Sequence, residues 1–564
     1  MKRLFALLTA FFLCIGLSAQ QPSLHIITTG DVHGSWFDKP YVDGGKLKTS
    51  LMSVKHYVDS VRNAAGSDNV LLLDAGDCLQ GDNAPYYFNY VVPGEPHLFP
   101  RIASYMGYDA IVVGNHDIET GHEVYDKVFS ELGEKGIPWL AGNYIRDADG
   151  TPYFPLYHVF HKAGKKILVM GFGNPNIKSW LSEHAWKGMH FESIVPFAQE
   201  CLDRVLPLEK PDFTIVIMHS GTGDGDGKSL ESQGLDLLAS VRGADLLVSG
   251  HDHIPTVVSR DGVILMDGGA RAGYVGHAVL DGSGLHAETV RLDKKLADEA
   301  MEEKFRKEFD AVREFTNHNV GELSVPLYTR DAYAGMCDYL NLIHTVQLSV
   351  PEADISFAAP LTFNGTVREG TVVYNDMFTI YPFENQLFVI RMTGDEIRRY
   401  LEYSYYTWIN PGREHVLRIE KKADARTSSE KWSFSGRTYN FDSAGGIRYT
   451  VDVRKPVGKR IRIISMADGS DFNPDTLYNV ALTSYRANGG GELLAKGAGI
   501  DNEEMQKRLI AVYPAIRDLV YDYFRKHSII TPQLIGNTGL IGEWKFIPSD
   551  KSGRMIRDDL ELVF

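Results

Sequence analysis

The chain has 564 residues, of which 44% are hydrophobic, and its formal net charge is −15. This length exceeds what a single hydrophobic core supports, so we expect at least two domains. The acidic total disfavours binding to nucleic-acid polymer, but it is compatible with a small phosphorylated substrate because metal ions can supply local positive charge.

The N-terminus has the features of a secretory signal peptide. Lys2 and Arg3 precede an apolar run over residues 4–17, and small residues follow up to Ala19. We therefore expect residues 1–19 to be removed, which brings the net charge to −17, and the mature protein to be periplasmic or extracellular. An uncleaved anchor helix is the alternative, but the run is short for one.

The mature chain shows no sign of membrane insertion or of a disulfide framework. No internal stretch is long enough and free enough of charge to span a bilayer. Cys78, Cys201 and Cys337 are few and widely spaced, so at most one pair could form. The oligomeric state is left open by the sequence.

Five short apolar runs in the first half are typical of buried strands in a layered α/β domain. They cover residues 24–27, 70–73, 110–113, 213–217 and 246–248. Helical apolar spacing occurs in residues 46–65, 121–132 and 193–206. We assign this alternating pattern to a first domain over residues 20–292.

Each of the five predicted strands is followed by residues that can bind a metal ion. They are Asp31 and His33, Asp77, Asn115, His219, and His251 and His253. One such residue is usually structural, but sites in open α/β sheets form beyond the carboxyl ends of strands, and five in succession favour a two-metal site. Imidazole with carboxylate suits zinc, manganese or a similar divalent ion better than calcium. Such a pair of ions can hold a phosphate, and Asp77 is the natural bridging ligand.

The rest of the chain divides into a linker, a second domain and a tail. A highly charged helical stretch at 293–315 indicates a solvated linker helix within residues 293–320. Mixed helices and strands over residues 321–530 indicate an α+β domain. Residues 531–564 are treated as a tail. The glycine-rich stretch 221–227 near His219 is interpreted as a flexible surface loop, with a phosphate cradle as the sharper alternative.

The order Gly-Asp-x-His, Gly-Asp, Gly-Asn-His-Asp, His, Gly-His-x-His resembles that of calcineurin-like metallophosphoesterases. The sequences around Asp77 and Asn115 are similar to those of the secreted 5'-nucleotidase and 2',3'-cyclic-nucleotide phosphodiesterase family. The resemblance covers nearly the whole mature chain and implies a four-layer N-terminal sandwich with a C-terminal α+β substrate-binding domain. It implies that one metal is held by Asp31, His33, Asp77 and His253, and the other by Asp77, Asn115, His219 and His251.

The same resemblance gives His116 a catalytic role distinct from metal binding. In the family, a histidine at this position stabilises the transition state and the leaving group, and an acid three residues later orients it. That acid is usually Asp, whereas this chain has Glu119. A carboxylate near a helix N-terminus would be an equally ordinary role for Glu119.

The resemblance also implies a nucleobase clamp in the second domain. Two aromatic rings, Phe383 and Tyr485, would sandwich the base, which suits any base because each has a π-face. Asn385 would bond the base, and Arg368 would approach the substrate phosphate. The motif around Tyr485 ends in Gly491 where the 5'-nucleotidase branch has Asp, so it is closer to the cyclic-phosphodiesterase/3'-nucleotidase branch.

These expectations describe an exported two-metal hydrolase of nucleotide phosphate esters, with 2',3'-cyclic nucleotides and 3'-nucleotides slightly favoured. The alternatives are a nucleotide-sugar or other phosphoester hydrolase on the same scaffold, and a non-catalytic nucleotide-binding protein. The complete set of ligand residues argues against the last, because a binding protein would be expected to have lost some of them.

Overall fold

A computed structural model describes residues 22–42, 45–410, 414–423 and 430–564. The predicted signal peptide over residues 1–19 lies outside the described residues. Within those ranges, no helix has the length and apolar character needed to cross a membrane. Cys78, Cys201 and Cys337 are all free.

The first half contains two six-stranded sheets, and all five predicted strands are present. The first sheet has the order Gly284–Arg291, Tyr274–Asp281, Leu24–Thr29, Val70–Asp74, Ala110–Val112 and Trp139–Leu140. The second has the order Thr256–Arg260, Val263–Asp267, Leu246–Ser249, Phe213–Met218, Lys165–Phe172 and Tyr157–Lys162. The predicted strands run parallel to their neighbours from the same set, so their carboxyl ends meet at one edge.

Helices cover the outer face of each sheet and complete four layers. Helices Leu51–Ala65, Leu98–Met106 and His122–Glu134 pack on the first sheet, and Ile194–Glu209 and Gly234–Ser240 on the second. Between the sheets lies an apolar core that includes Ile26, Leu73, Ile215 and Val248. The predicted four-layer α/β sandwich is therefore confirmed.

The segment expected to be a solvated linker helix forms two helices, Glu299–Lys304 and Arg306–Thr316. Its charged residues do face solvent in part, but Met301, Phe305 and Val312 are buried in the core of the first half. These three apolar residues recur at helical spacing, so one face of the segment packs on the first domain. The expectation of a solvated linker is corrected accordingly.

The second half is an α+β domain built on a five-stranded sheet, as predicted. The sheet has the order Ser443–Gly445, Ile355–Ala358, Leu477–Thr483, Gln386–Thr393 and Leu509–Ala515. Smaller three-stranded sheets join Ile461–Met466, Ile447–Asp452 and Trp544–Ile547, and Gly370–Val373, Asn319–Leu323 and Ile529–Ile530. The main helices are Asp338–Gln347, Tyr374–Ile380, Gly394–Trp408 and Ile516–His527.

Residues 531–564, treated above as a tail, are part of this second half. Strand Trp544–Ile547 pairs in parallel with Ile447–Asp452, and helix Ser549–Val563 follows it. The Asp559 carboxylate in that helix accepts hydrogen bonds from the backbone N–H groups of Val416 and Leu417. The last residues of the chain thus complete a sheet edge and bury apolar surface.

Candidate functional site

The loops that follow the predicted strands hold their polar residues in an unusual backbone conformation. Asp31, His33, Asp77, His251 and His253 all have positive φ, between 46° and 78°. Non-glycine residues rarely adopt this left-handed region, because it brings Cβ close to the backbone. Such strained residues persist where the surrounding structure holds them, and they concentrate at functional sites.

A first cluster of ligand atoms is formed by Asp31, His33 and His253. The Nε2 atoms of the two histidines lie 3.0 Å apart. The Asp31 Oδ1 atom is 3.4 Å from His253 Nε2 and 3.8 Å from His33 Nε2. The structure thus brings together residues that are more than 200 positions apart in sequence.

A second cluster is formed by Asp77, His219 and His251, with Asn115 beside it. His219 Nε2 lies 3.1 Å from Asp77 Oδ2 and 3.0 Å from the Asn115 amide oxygen. The same Asp77 oxygen is 3.8 Å from His33 Nε2 in the first cluster. Asp77 therefore lies between the two clusters, where a bridging carboxylate is required.

The donor set fits two divalent metal ions. In each cluster the candidate ligand atoms lie within 4.8 Å of one another. Asp31 Oδ1 and Asp77 Oδ2 are buried, yet neither accepts a hydrogen bond from any residue that the structure describes. Buried carboxylate oxygens normally have partners, so these two atoms indicate that a cation belongs there.

Backbone carbonyls orient the two histidines that are most deeply buried. The Nδ1–H of His219 donates to the Ala75 carbonyl at 2.7 Å, and that of His33 donates to the Gln80 carbonyl at 3.0 Å. Metal-binding histidines characteristically donate their second ring N–H in this way, which fixes the tautomer and leaves Nε2 free for the metal. Both imidazoles are therefore prepared as ligands.

The buried charges shift the pKa values of these groups in opposite directions. Burial lowers the pKa of His33 to about 3, which favours the neutral imidazole that a metal needs. Burial also opposes protonation of His219, but the Asp77 charge outweighs it and raises the pKa of His219 to about 10. A cation bound at the second cluster would therefore compete with a proton on His219.

Asp117, which the sequence reasoning did not single out, supports the Asp77 loop. Its carboxylate accepts hydrogen bonds from the backbone N–H groups of Asp77, Cys78, Leu79 and Gly114, at 2.8 to 3.1 Å. A Cβ atom on Gly114 would lie only 2.1 Å from Asp77 Oδ1, so that position requires glycine. The Gly-Asn-His-Asp motif therefore shapes the second cluster as well as supplying a ligand.

His116 lies beside both clusters without belonging to either. Its ring centroid is 5.3 Å from that of His33, and its backbone N–H donates to Asp77 Oδ1 at 2.8 Å. Its Nδ1 atom is 2.5 Å from Glu119 Oε2, so glutamate reaches the imidazole despite its extra methylene. Burial alone would lower the pKa of His116, but the charges of Asp77 and Glu119 raise it to about 9.

A cavity of about 540 Å³ opens between the two halves and contains most of the predicted site residues. The first half contributes Asp77, Asn115, His116, Glu119, His251 and His253 to its lining, and the second contributes Phe383, Asn385 and Tyr485. Residues predicted to bind metal, to act in catalysis and to bind the base thus line one cavity, whereas Asp31, His33 and His219 are absent from its described lining. This arrangement lets a single small ligand contact both halves.

Among the four residues predicted to contact the substrate, Arg368 is the one absent from the described lining of this cavity. It is exposed in the short connection between strands Thr366–Val367 and Gly370–Val373. Those strands pair with Leu327–Tyr328 and Asn319–Leu323, and none of residues 366–373 belongs to the described cavity lining. The prediction that Arg368 approaches the substrate is not supported by this placement.

Three further residues at the cavity had no local sequence signal. The Trp180 ring stacks on His251, with centroids 5.2 Å apart, and Glu231 Oε1 lies 2.9 Å from His251 Nε2. Arg437 is exposed at the cavity wall and interacts electrostatically with Glu231. The glycine-rich residues 221–227 are absent from the described lining, which does not favour their interpretation as a phosphate cradle.

The short helix Ser484–Ala487, which carries Tyr485, is held in place by a buried ion pair between Arg486 and Asp442. Arg486 donates to both carboxylate oxygens of Asp442, at 2.8 and 2.9 Å, and also to the Asn440 and Gly490 oxygens. The Arg486 guanidinium carbon lies 5.2 Å from the centroid of the Tyr485 ring. All of these partners belong to the second half, so this ring is positioned by its own domain.

Comparisons with known proteins agree with this architecture. The trifunctional nucleotide phosphoesterase protein YfkN of Bacillus subtilis is 22% identical in an alignment that covers 92% of this chain but only 39% of that longer protein. The 2',3'-cyclic-nucleotide 2'-phosphodiesterase/3'-nucleotidase of Salmonella typhimurium is 22% identical in an alignment that covers 87% of this chain and 85% of that protein. A Staphylococcus aureus protein solved with alpha-ketoglutarate shares the fold, with a TM-score of 0.75, 20% identity and coverage of 93% and 99% of the two chains.

Family models account for both halves. The calcineurin-like phosphoesterase model matches residues 24–255, and the 5'-nucleotidase C-terminal domain model matches residues 319–496. The first match includes both ligand clusters, and the second includes Phe383, Asn385 and Tyr485. The chain therefore belongs to the calcineurin-like phosphoesterases that carry a 5'-nucleotidase C-terminal domain.

Proposed function

We propose that this protein hydrolyses phosphate esters of nucleotides with the help of two divalent cations, and that it favours 2',3'-cyclic nucleotides and 3'-nucleotides over 5'-nucleotides. The observation that carries the proposal is the shared cavity, which both ligand clusters and the aromatic residues Phe383 and Tyr485 adjoin. A phosphate is held by cations, and a nucleobase is held by aromatic faces. A cavity that offers both, one from each half of the protein, fits a nucleotide.

In this proposal, Asp31, His33, Asp77 and His253 hold one cation, and Asp77, Asn115, His219 and His251 hold the other. When bound, the two cations would neutralise charge on the phosphate and activate water. Asp77 is their shared ligand, and Asp117 keeps the Asp77 loop in place. The mixture of carboxylate, imidazole and amide donors suits zinc, manganese or a similar ion.

His116 is proposed to donate a proton to the leaving-group oxygen. Glu119 accepts the hydrogen bond from Nδ1–H and so directs Nε2 away from itself. Burial lowers the pKa of this imidazole, and the charges of Asp77 and Glu119 raise it to about 9. Bound cations would offset the charge of Asp77, so Glu119 is the group that favours the protonated imidazole in the loaded site, and that form can act as a general acid. Its backbone contact with Asp77 keeps it next to the phosphate site.

The base is proposed to stack between Phe383 and Tyr485, with Asn385 as its hydrogen-bond partner. Arg437 takes the role first given to Arg368, because it is the exposed arginine on the cavity wall. Arg486 also reaches the wall, but its donors are engaged by Asp442 and neighbouring oxygens. Arg437 can therefore contact an anionic or polar group of the nucleotide.

We also propose that the protein is exported after removal of residues 1–19. The charged start, apolar run and small residues before Gln20 support this proposal. N-terminal sequencing of the protein made by the native host should begin at Gln20. An intact N-terminus on the native protein would contradict it.

A panel of substrates tests the proposed activity. We would assay 2',3'-cyclic, 3'- and 5'-nucleotides, a nucleotide sugar and p-nitrophenyl phosphate, each with manganese, zinc or magnesium. Asp77→Asn should lose turnover and bind less metal while the fold survives, because it removes charge from the proposed shared ligand. A normal metal content with normal activity in that variant, or hydrolysis of none of the nucleotides by the wild-type enzyme, would contradict the proposal.

A further inference from the structure

A fully buried arginine supports the loop that carries one of the proposed base-stacking rings. We call residues 381–385 the clamp loop. Arg517, at the start of helix Ile516–His527, donates to the backbone carbonyls of Tyr381 at 3.4 Å and Pro382 at 3.2 Å, and its guanidinium pairs with the Glu384 carboxylate. Anchor points at Tyr381, Pro382 and Glu384, on either side of Phe383, leave the backbone of this five-residue loop little freedom.

The same guanidinium is covered by an aromatic ring from the other half of the protein. Its central carbon lies 4.7 Å from the Tyr86 ring centroid and 4.1 Å from that of Phe378. Its Nε atom is buried without a hydrogen-bond partner among the described residues. The Tyr86 hydroxyl donates to Asp518, the residue after Arg517, at 3.0 Å. Arg517 thus directs N–H groups at the clamp loop, while its guanidinium packs against Phe378 of its own half and Tyr86 of the first half.

Tyr86 belongs to the segment that also carries metal-site residues. Its helix, Asn83–Tyr86, begins six positions after Asp77. Within this segment the Gln80 carbonyl orients His33, and the Leu79 carbonyl accepts a hydrogen bond from the Asn89 amide at 2.8 Å. The chain between Asp77 and Tyr86 is short and is held by hydrogen bonds. A displacement of Tyr86 should therefore be transmitted to the proposed phosphate site.

We propose that Arg517, together with Tyr86, is a positioning device that sets the distance between the base-stacking ring Phe383 and the two ligand clusters, and so selects nucleotides by the reach from base to phosphate. This inference rests on the proposed nucleotide hydrolysis. Cyclic, 3'- and 5'-nucleotides differ in that reach, so the device determines specificity without touching the substrate.

The energetics of burial support a positioning role over a purely stabilising one. A buried ion pair costs desolvation that its attraction only partly offsets, so apolar replacements are often as stable. Unlike an apolar residue, an arginine supplies a rigid, planar group of N–H donors with fixed directions. In Arg517 those donors are directed at Tyr381, Pro382 and Glu384 of the clamp loop.

The test compares steady-state kinetics of Arg517→Lys, Glu384→Gln and Tyr86→Leu on the nucleotide panel and on p-nitrophenyl phosphate, which has no base. Arg460→Lys is the matched control, because Arg460 is also fully buried and donates to backbone carbonyls of its own domain, away from the clamp loop. Tyr485→Ala serves as the reference for loss of base stacking.

We expect KM for the preferred nucleotide to rise at least about fivefold in the three test variants, the lower limit set by loss of one stacking contact. The ratios of kcat/KM among cyclic, 3'- and 5'-nucleotides should move closer to one. The kinetics of the test variants on p-nitrophenyl phosphate should stay near wild type, and so should the kinetics of Arg460→Lys on all substrates. Combining Tyr86→Leu with Arg517→Lys should add little to either alone, because both act through one contact.

Three results would overturn the inference and are distinguishable from failure of the proposed function. If Tyr485→Ala raises KM but the test variants do not, the positioning role is wrong although the clamp is right. Equal losses on nucleotides and on p-nitrophenyl phosphate would mean that Arg517 only stabilises the fold. If Arg517→Lys does not fold, Tyr86→Leu and Glu384→Gln decide, and unchanged nucleotide preference in both rejects the proposal. No effect of Tyr485→Ala would instead reject the clamp itself.

Discussion

His116 Nδ1 and Glu119 Oε2 lie 2.5 Å apart across a single helical turn that begins at the metal-site residue Asn115. The turn places the imidazole and its orienting carboxylate on one side, three residues apart, while the backbone N–H of His116 contacts Asp77. The longer glutamate side chain is accommodated without loss of the hydrogen bond. The hydrogen bond to Glu119 thus gives His116 a partner other than a metal ion, although His116 directly follows the candidate ligand Asn115.

Replacing His116 with alanine should lower kcat by about 10²- to 10⁴-fold, the usual contribution of a general acid, with both metals retained. Glu119→Ala should lower kcat by a smaller factor, because the His116 imidazole could still donate a proton but would no longer be held in one orientation. The loss should shrink with p-nitrophenyl phosphate, whose leaving group needs little protonation. Metal analysis by mass spectrometry provides the check, and a metal-depleted His116→Ala variant would make His116 a ligand instead.

Replacing Tyr485 with alanine should mainly weaken nucleotide binding. Stacking contributes about 1–3 kcal/mol per base, so KM should rise roughly 5- to 150-fold with a small change in kcat. Hydrolysis of p-nitrophenyl phosphate should change little, because it does not use the base site. Asn440→Ala, which removes one acceptor of the Arg486 ion-pair network beneath the ring, should give a weaker effect of the same kind. Equal loss on both substrates would contradict base stacking.

Arg437→Ala should raise KM for nucleotides about tenfold, since a hydrogen bond to a charged group contributes about 1.5–3 kcal/mol and this side chain is partly screened by solvent. Arg368→Ala is the matched control, because Arg368 is exposed away from the cavity and should leave KM unchanged. Isothermal titration with a non-hydrolysable nucleotide measures the binding directly. The reverse ranking of the two variants would restore the original assignment of Arg368.

The clustering of the candidate metal ligands could be predicted because its signal is local. Each follows a buried apolar run, and parallel strands bring their carboxyl ends to one edge whatever the details of the loops. The left-handed backbone at Asp31 and Asp77 could not be predicted in this way, since nothing in the local sequence marks it. The residue types and their positions after the strands were enough to predict which residues cluster. The positive φ angles of these residues are imposed by the tertiary fold and could not be predicted.

Residues that meet only through tertiary structure could not be predicted from the chain. Trp180, Glu231 and Arg437 come from three separate loops, and none lies in a motif. Arg368 illustrates the reverse case, because a position assigned from the resemblance lies in an exposed connection between strands, outside the described cavity lining. The final strand, Trp544–Ile547, was missed because a four-residue run gives little periodicity before a charged helix.

His344, a buried residue of the second half, should make the free energy of unfolding depend on pH. It is buried between Ser356 and Ser443, whose hydroxyls lie 2.8 and 3.1 Å from its ring nitrogens, and burial lowers its pKa to about 4. Between pH 4 and 6.5 the unfolded state binds a proton that the folded state does not, so stability should be full above pH 6.5 and fall as the pH drops towards 4. His344→Gln should reduce the slope of unfolding free energy against pH in this window by up to about 1.4 kcal/mol per pH unit. Urea unfolding from pH 4.5 to 7 measures this slope, with His161→Gln, an exposed site, as the control; equal slopes in wild type and His344→Gln would show that His344 does not contribute.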